Sequence, residues 1–243
     1  RQVVVPNADI KPEYTYNFDL TINQRIANRI SIELTGFYTL FRNAILKAPY
    51  RLNGQDSIVY NGVKSQVLAS QNVNKANLYG FTFNIAADIY KGIAFSSTMS
   101  YTKGSFKTDA SKTSAVYEKQ SNGTYLLVNR NVSTKSLDHI PPFMGKTSIT
   151  YHYKIFNTEA YLLYNGWKRL DQYNADGEDN AQYATPDGMP SWMTVNWKAN
   201  VNILKYLQVQ VGVENILDRN YRTFASGFSA AGRNFMVGLR ANW

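Results

Sequence analysis

The chain has 243 residues, 26 Lys and Arg against 17 Asp and Glu, and no cysteine. Without cysteine there are no disulfides, thiolate metal sites or sulfur nucleophiles, and two histidines, His139 and His152, are too few for a multi-histidine metal cage. The formal charge of +9 is spread thinly, with no long basic block, so no nucleic-acid partner is expected.

No apolar run reaches the roughly 18 residues of a membrane-spanning helix. The period that does recur is two, which places alternate side chains on opposite faces of a strand. In residues 14–24, Tyr16, Phe18, Leu20 and Ile22 alternate with Asn17, Asp19, Thr21 and Asn23. Further strands are predicted at 29–43, 75–89, 93–106, 143–153 and 157–168. In 191–203, Met193, Val195, Trp197, Ala199, Val201 and Ile203 oppose Thr194, Asn196, Lys198, Asn200 and Asn202. In 207–216, Leu207, Val209, Val211 and Val213 oppose Gln208, Gln210, Gly212 and Glu214. The last strand, 234–243, sets Phe235, Val237, Leu239, Ala241 and Trp243 against Asn234, Met236, Gly238, Arg240 and Asn242.

That makes about nine strands, most of them longer than the five or six residues usual in globular proteins. Tilted strands of about 9–11 residues are what a bilayer core requires. Tight joins fall at 25–28, 90–92, 154–156 and 204–206, whereas 44–74, 107–142, 169–190 and 217–233 are long and polar. Short turns at one rim and long loops at the other are the layout of an outer-membrane barrel. The fold expected is therefore all-β, an antiparallel transmembrane β-barrel. The alternative, a soluble sandwich, would have to bury the polar parity, and each buried polar group needs a partner. The mean hydropathy of −0.36 then averages a lipid-facing parity and a lumen-facing one.

With short turns periplasmic, Tyr16, Tyr38, Tyr79, Tyr101, Tyr164 and Phe235 form an outward aromatic girdle at the upper strand ends. Phe95, Tyr151, Tyr153 and Trp243 fall at the lower ends. An odd strand count suits a free-standing bacterial barrel poorly. The chain is therefore expected to be the C-terminal part of a larger barrel, with residues 1–13 an extracellular loop entered midway.

Several motifs carry a resemblance. The end of the chain reads Val213-Glu214-Asn215-Ile216-Leu217-Asp218, then Tyr221-Arg222, Ala225-Ser226-Gly227 and Gly232-Arg233-Asn234-Phe235. This resembles the C-terminal signature of TonB-dependent outer-membrane receptors. Pro6-Asn7-Ala8-Asp9-Ile10-Lys11-Pro12-Glu13 before Tyr16, and Ile140-Pro141-Pro142-Phe143-Met144-Gly145, resemble strand starts of that family. Two departures stand out: Trp243 replaces the common final Phe, and Ala241 a frequent aromatic.

The resemblance implies about thirteen earlier strands of a 22-stranded barrel, a plug domain and a TonB box, none of which these residues resemble. Residues 164–168 and 177–192 are similar to receptors of the Bacteroidetes type, some grouped with haem or haemoproteins. The ending is less like receptors that pair with glycan-binding lipoproteins. The implied partners are outer-membrane lipid and lipopolysaccharide, the rest of the barrel and plug, and TonB with its ExbB/ExbD energising complex. A surface lipoprotein partner is left open.

Enzymatic constellations are poor, and neither an enzyme nor a cofactor is expected. Ser133, Ser136 and Asp138 near His139 carry no triad information. His139 reads as an exposed loop histidine or as a haem contact; His152 reads as a lumenal hydrogen-bonding group. Asp171, Asp176, Glu178 and Asp179 around Gly177 invite a calcium loop, but the required acids would fall on Gln172 and Tyr183. An irregular oxygen site stays open. Loop aromatics and cations suit anionic chelates better. They comprise Tyr50 and Arg51 with Tyr60; Tyr117, Tyr125 and Arg130 with Lys119; and Arg169, Tyr173, Tyr183 and Trp192 with Lys168. The function implied is active import of a scarce large solute, an iron chelate or haem first, cobalamin or another nutrient second. A passive porin or adhesin-type barrel is the alternative.

Overall fold

The computed structural model describes residues 1–241 apart from Lys112 and Glu178. Trp243, the last expected girdle residue, and Glu178 of the acidic loop lie outside the described residues. The strands in chain order are β1 (Gln2–Val5), β2 (Tyr14–Ile26), β3 (Ile30–Pro49), β4 (Ser57–Tyr60), β5 (Val63–Tyr90), β6 (Ile93–Lys107), β7 (Thr113–Lys119) and β8 (Tyr125–Asn131). They continue with β9 (Thr134–Ser136), β10 (Met144–Tyr153), β11 (Phe156–Asn165), β12 (Lys168–Arg169), β13 (Gly188–Met189), β14 (Trp192–Leu204), β15 (Leu207–Glu214) and β16 (Asn234–Ala241). Nine of them build one antiparallel wall in the order β2, β3, β5, β6, β10, β11, β14, β15, β16, each hydrogen-bonded to the next.

The short joins are chemically explicit. Ala27 and Asn28 take φ of 48° and 53°, the left-handed pair that a tight hairpin turn between β2 and β3 needs. At the β5–β6 turn Gly92 has φ 85°, and a Cβ there would lie 2.2 Å from the His152 carbonyl oxygen. The His152 N–H donates to the Gly92 carbonyl at 2.8 Å, so this turn is locked against the neighbouring strand.

Registers keep one parity outward across the whole wall. Ile22 faces Leu34, Leu34 faces Phe83, Phe83 faces Met99, and the same row continues through Gly145, Tyr164 and Met193. The girdle crosses these rows diagonally. Tyr38 pairs with Tyr79 one outward position below Tyr16, Tyr101 pairs with Phe81 one lower still, and Tyr164 sits a further position down. A line of constant height on strands tilted by about 35–45° does the same. Tyr16, Tyr38, Tyr79, Tyr101 and Phe235 are exposed, and Tyr164 stacks on Phe143 at 6.1 Å.

The opposite parity is polar and bonded to itself. Thr21 meets Thr35 at 3.0 Å, Asn84 donates to Glu33 at 3.0 Å, and Ser96 meets Ser148 at 2.8 Å. Glu159 is held by Lys146 at 2.6 Å and Lys198 at 2.8 Å. His152 bonds Asn157, which donates to Asn200 at 3.1 Å. An aqueous or filled lumen tolerates such a face; a dry core does not. Among the described residues β2 pairs only with β3 and β16 only with β15, so the wall has two open edges and is not closed into a barrel.

The long connections differ from the expectation of plain loops. β3 runs on to Pro49 and β5 starts at Val63, so most of 44–74 is strand. At about 3.3 Å per residue β5 is roughly 90 Å long, well beyond a hydrocarbon core of about 30 Å. Residues 1–13 contain β1, which pairs in parallel with β5 from Gln2–Gln66 to Val5–Ala69 and covers the fully buried Val67, Leu68 and Ala69. Interrupting polar residues, Ser70, Gln71 and Asn72, hide this strand from a periodicity reading. Asn72 is polar because it serves the loop: its amide donates to the Lys11 and Asn43 carbonyls, each at 2.8 Å. The connection 107–142 likewise holds the β7–β8 hairpin and β9.

Outward and inward positions in β15 respond differently to charge. Val211→Arg places a guanidinium on the lipid face and is expected to cost assembly about 2–4 kcal/mol at mid-bilayer. Gln210→Arg points to the lumen and is expected to fold normally. Heat-modifiable mobility of the membrane-inserted protein reads both, and equal defects contradict the facing assignment.

Candidate functional site

Above the membrane the wall carries a rim built from three connections, 108–143, 166–191 and 215–233. β9 adds to the top of β6 through Ser105–Ser136, Phe106–Lys135 and Lys107–Thr134. That register turns Lys135 toward the parity of Phe106, where its ammonium meets Asp176 at 2.6 Å with both side chains buried. The second connection leaves β11, pairs β12 with β13, and turns through short 3-10 helices at Leu170–Gln172 and Ala181–Tyr183.

Lys168, on β12, is the centre of the arrangement. Its ammonium donates to the Ile140 carbonyl and to Asp179 at 3.3 Å. It also lies 4.9 Å from the Tyr173 ring centroid and 4.3 Å from that of Phe224. Asp179 in turn accepts the His139 backbone N–H at 2.8 Å and approaches His139 Nδ1 at 3.1 Å. Gly177 packs so closely on Asp138 that a Cβ would fall 1.8 Å from its carboxylate. One buried ionic knot thus ties all three connections together.

Burial sets the electrostatics of this knot. Desolvation pulls the Lys168 ammonium below the usual lysine range, while Asp179 and Asp138 oppose that shift. Burial, then the charge of Asp179 and the nearby Tyr117, pushes the Tyr173 phenol up to about 12. Tyr117 is raised by burial and then by Asp176. The Tyr173 hydroxyl and Trp192 Nε1 are buried without a hydrogen-bond partner among the described residues.

Of the residues that sequence singles out, His139, Tyr117 and Tyr173 meet at the knot. The His139 side chain stays 70% exposed, whereas Tyr173 is 4% exposed and supports Lys168 from within. Arg169 lies 3.9 Å over the Trp167 ring on the surface. Trp192 packs on Tyr221 at 4.3 Å, and together with Tyr183 and Arg222 they line a cleft of about 270 Å³. Arg130 is tied back to Glu118 at 3.0 Å on the β7–β8 hairpin, which also carries Tyr125 opposite Lys119. Tyr50 and Arg51 sit apart, on the projection formed by β3, β4 and β5, where the Tyr50 N–H donates to Val67 at 2.9 Å.

Among the described residues, which exclude Glu178, the acidic loop shows no oxygen cage. Asp176 and Asp179 are matched by lysines, and no cluster of three or more metal-ligating side chains occurs among the described residues. Sequence reading sees these carboxylates but misses Lys135 as their partner, because a lone lysine in a Ser/Thr-rich stretch has no periodic signal. The terminal motif also gains a physical role. The Asn215 side chain accepts from Arg219 and donates to the Arg219 and Ala231 carbonyls, and Asp218 accepts the Arg233 N–H at 2.8 Å. Asn180 reaches the Ala225 carbonyl at 2.7 Å, docking the last connection on the second.

The sequence matches a family model described as TonB dependent receptor-like, beta-barrel over residues 1–216. No curated protein matches it significantly. Among solved structures it is similar to the siderophore receptor PirA from Acinetobacter baumannii, with 17% identity and a TM-score of 0.65 over 98% of this chain and 33% of that one. The FrpB iron transporter from Neisseria meningitidis gives 13% and 0.66, covering 99% and 33%. The copper transporter OprC gives 15% and 0.67, covering 96% and 32%. At such identities the likeness is one of fold, and the chain spans about a third of the length of these structures.

The knot makes two expectations. Asp179→Asn leaves Lys168 without its buried counter-charge, a change that typically costs about 3–5 kcal/mol; limited proteolysis of the rim should accelerate while the wall stays intact. Tyr173→Phe keeps the ring under Lys168 and removes an unpartnered hydroxyl, so protection should hold or rise. The unfolded phenol ionises near 10.0 and the folded one near about 12. Across that window the unfolded state loses its proton first, so rim stability falls with rising pH. The fall should be shallower in Tyr173→Phe, and identical profiles contradict the assignment.

Proposed function

The chain belongs to the TonB-dependent receptor β-barrel family of Gram-negative outer-membrane proteins, and from that premise we propose that it forms wall and rim of an active importer for an anionic iron chelate. The observation that carries this reading is the two-faced wall, apolar outside and polar inside, beneath a rim fixed by the Lys168–Asp179 knot. Strands beyond these nine complete the barrel at the open edges of β2 and β16, since unpaired backbone groups in lipid cost several kcal/mol each. A plug inside the completed barrel blocks the lumen, and TonB, driven from the inner membrane, moves it once cargo is bound. No bond chemistry is involved.

Cargo recognition falls to the exposed and half-buried groups of the rim. Arg169 over Trp167, and Arg222 beside Trp192 and Tyr221, combine guanidinium donors with flat apolar faces. Anionic chelates are bound by such pairs through charge-assisted hydrogen bonds and stacking. The siderophore receptor and iron transporter among the similar structures favour iron over other cargo. Haem is the second reading. With Nδ1 engaged by Asp179, His139 presents Nε2 from a largely exposed side chain, the orientation in which histidines ligate metal.

Uptake of radio-iron by cells carrying the full-length receptor separates these readings. Ferric siderophore uptake that stops on TonB deletion is expected; a large constitutive conductance indifferent to TonB contradicts the importer. His139→Ala should lower haem uptake about tenfold or more if haem is the cargo, and unchanged uptake removes His139 from the site.

A further inference from the structure

The outer parity of the nine wall strands carries four charged side chains, Arg42, Lys75, Lys103 and Lys107, and no Asp or Glu. All four are exposed cations, and all lie toward the extracellular end of adjacent strands β3, β5 and β6. The periplasmic half of the same face has no charge. Composition by chance would scatter both signs over both ends.

Register fixes their facing. Arg42 stands opposite Tyr14 on one side and Lys75 on the other, and its guanidinium lies 5.5 Å over the ring of the girdle residue Tyr16. Lys103 stands opposite Tyr79, another girdle residue. Tyr14, Tyr16, Arg42, Asn43 and Lys75 surround an open notch of about 580 Å³. Like charges directly opposite each other in a sheet destabilise it, yet Arg42 and Lys75 are so paired. No acidic side chain forms an ion pair with any of the four among the described residues. An anion from outside the protein relieves that repulsion.

Height identifies the anion. Arg42 and Lys75 are each four residues above a girdle tyrosine, Tyr38 and Tyr79, and Lys103 is two above Tyr101. At about 3.3 Å per residue on strands tilted by about 40°, the cations sit roughly 5–10 Å above the aromatic line. That is the headgroup layer of the outer leaflet. Resting on the outer-membrane reading above, we propose that Arg42, Lys75 and Lys103 form a docking band for the phosphate groups of an outer-leaflet glycolipid, lipopolysaccharide. Acyl chains lie along the apolar rows below, tyrosine rings mark the boundary, and Arg42 offers a planar fork to phosphate while Tyr16 supports it. Lys107, higher on β6, extends the band toward the sugar core.

The test uses the full-length receptor purified in detergent and titrated with fluorescent bisphosphorylated lipid A. Heat-modifiable mobility checks that each variant is a folded barrel; a wild-type protein lacking it contradicts the barrel reading itself. In folded protein, R42Q/K75Q/K103Q should weaken lipid A binding about tenfold or more, and R42K/K75R/K103R should restore it. Dephosphorylated lipid A should bind the wild type as weakly as the neutral variant binds the phosphorylated form. Equal binding by wild type and the neutral variant overturns the band. Competition by low-millimolar inorganic phosphate also overturns it, because the site then reads free phosphate and not a lipid.

Discussion

A backbone in lipid has no water to bond, so every peptide group that crosses must find its partner in a neighbouring strand. The nine-strand register is this constraint made visible. Because side chains alternate with period two, a slip of one residue anywhere would send a whole strand's polar side chains into lipid. Continuity from Ile22 through Leu34, Phe83, Met99, Gly145 and Tyr164 to Met193 is therefore specified at every strand. Tight turns such as Ala27–Asn28 and the Gly92 contact with His152 hold that register at the periplasmic rim.

The two rims solve different problems. Below, turns are short, and a single glycine is enough to close one against its neighbour. Above, long connections must be ordered without a lipid to press them together, and a buried ionic knot does this. Two lysines and two aspartates, with Asp138, Tyr173 and Phe224 around them, occupy the place that an apolar core would take in a soluble domain. Such pairs add little net stability over apolar packing, but they tolerate few alternative arrangements. The same knot fixes the backbone that carries the exposed His139, Arg169 and Tyr183 side chains.

Much of the wall is legible in the sequence, because lipid on one side and water on the other impose strict alternation. Tyr16 to Ile22 and Met193 to Ile203 announce their facing directly, and all nine wall strands appear, with β3 and β5 running on past their predicted upper ends. Legibility fails where that two-solvent constraint ends. Upper β5 packs against β1, β3 and β4, so Asn72 serves loop carbonyls and Val67 to Ala69 form a short buried run. Neither gives a period. The rim is legible in residue type but not in pairing: Asp176 and Asp179 stand out, while Lys135, 41 residues from Asp176 along the chain, acquires its meaning only through β9 pairing with β6. Part of the +9 charge, unexplained by composition, has a place in the outward band of Arg42, Lys75, Lys103 and Lys107.

These 243 residues contain no cysteine, so a label introduced among them is unique within this stretch. Single cysteines placed in turn at 208–213 of the full-length protein, spin-labelled in the outer membrane, report whether each position meets lipid or water. Positions 209, 211 and 213 should contact lipid-soluble relaxants and positions 208, 210 and 212 water-soluble ones. Accessibility without that alternation would contradict a transmembrane wall with these faces.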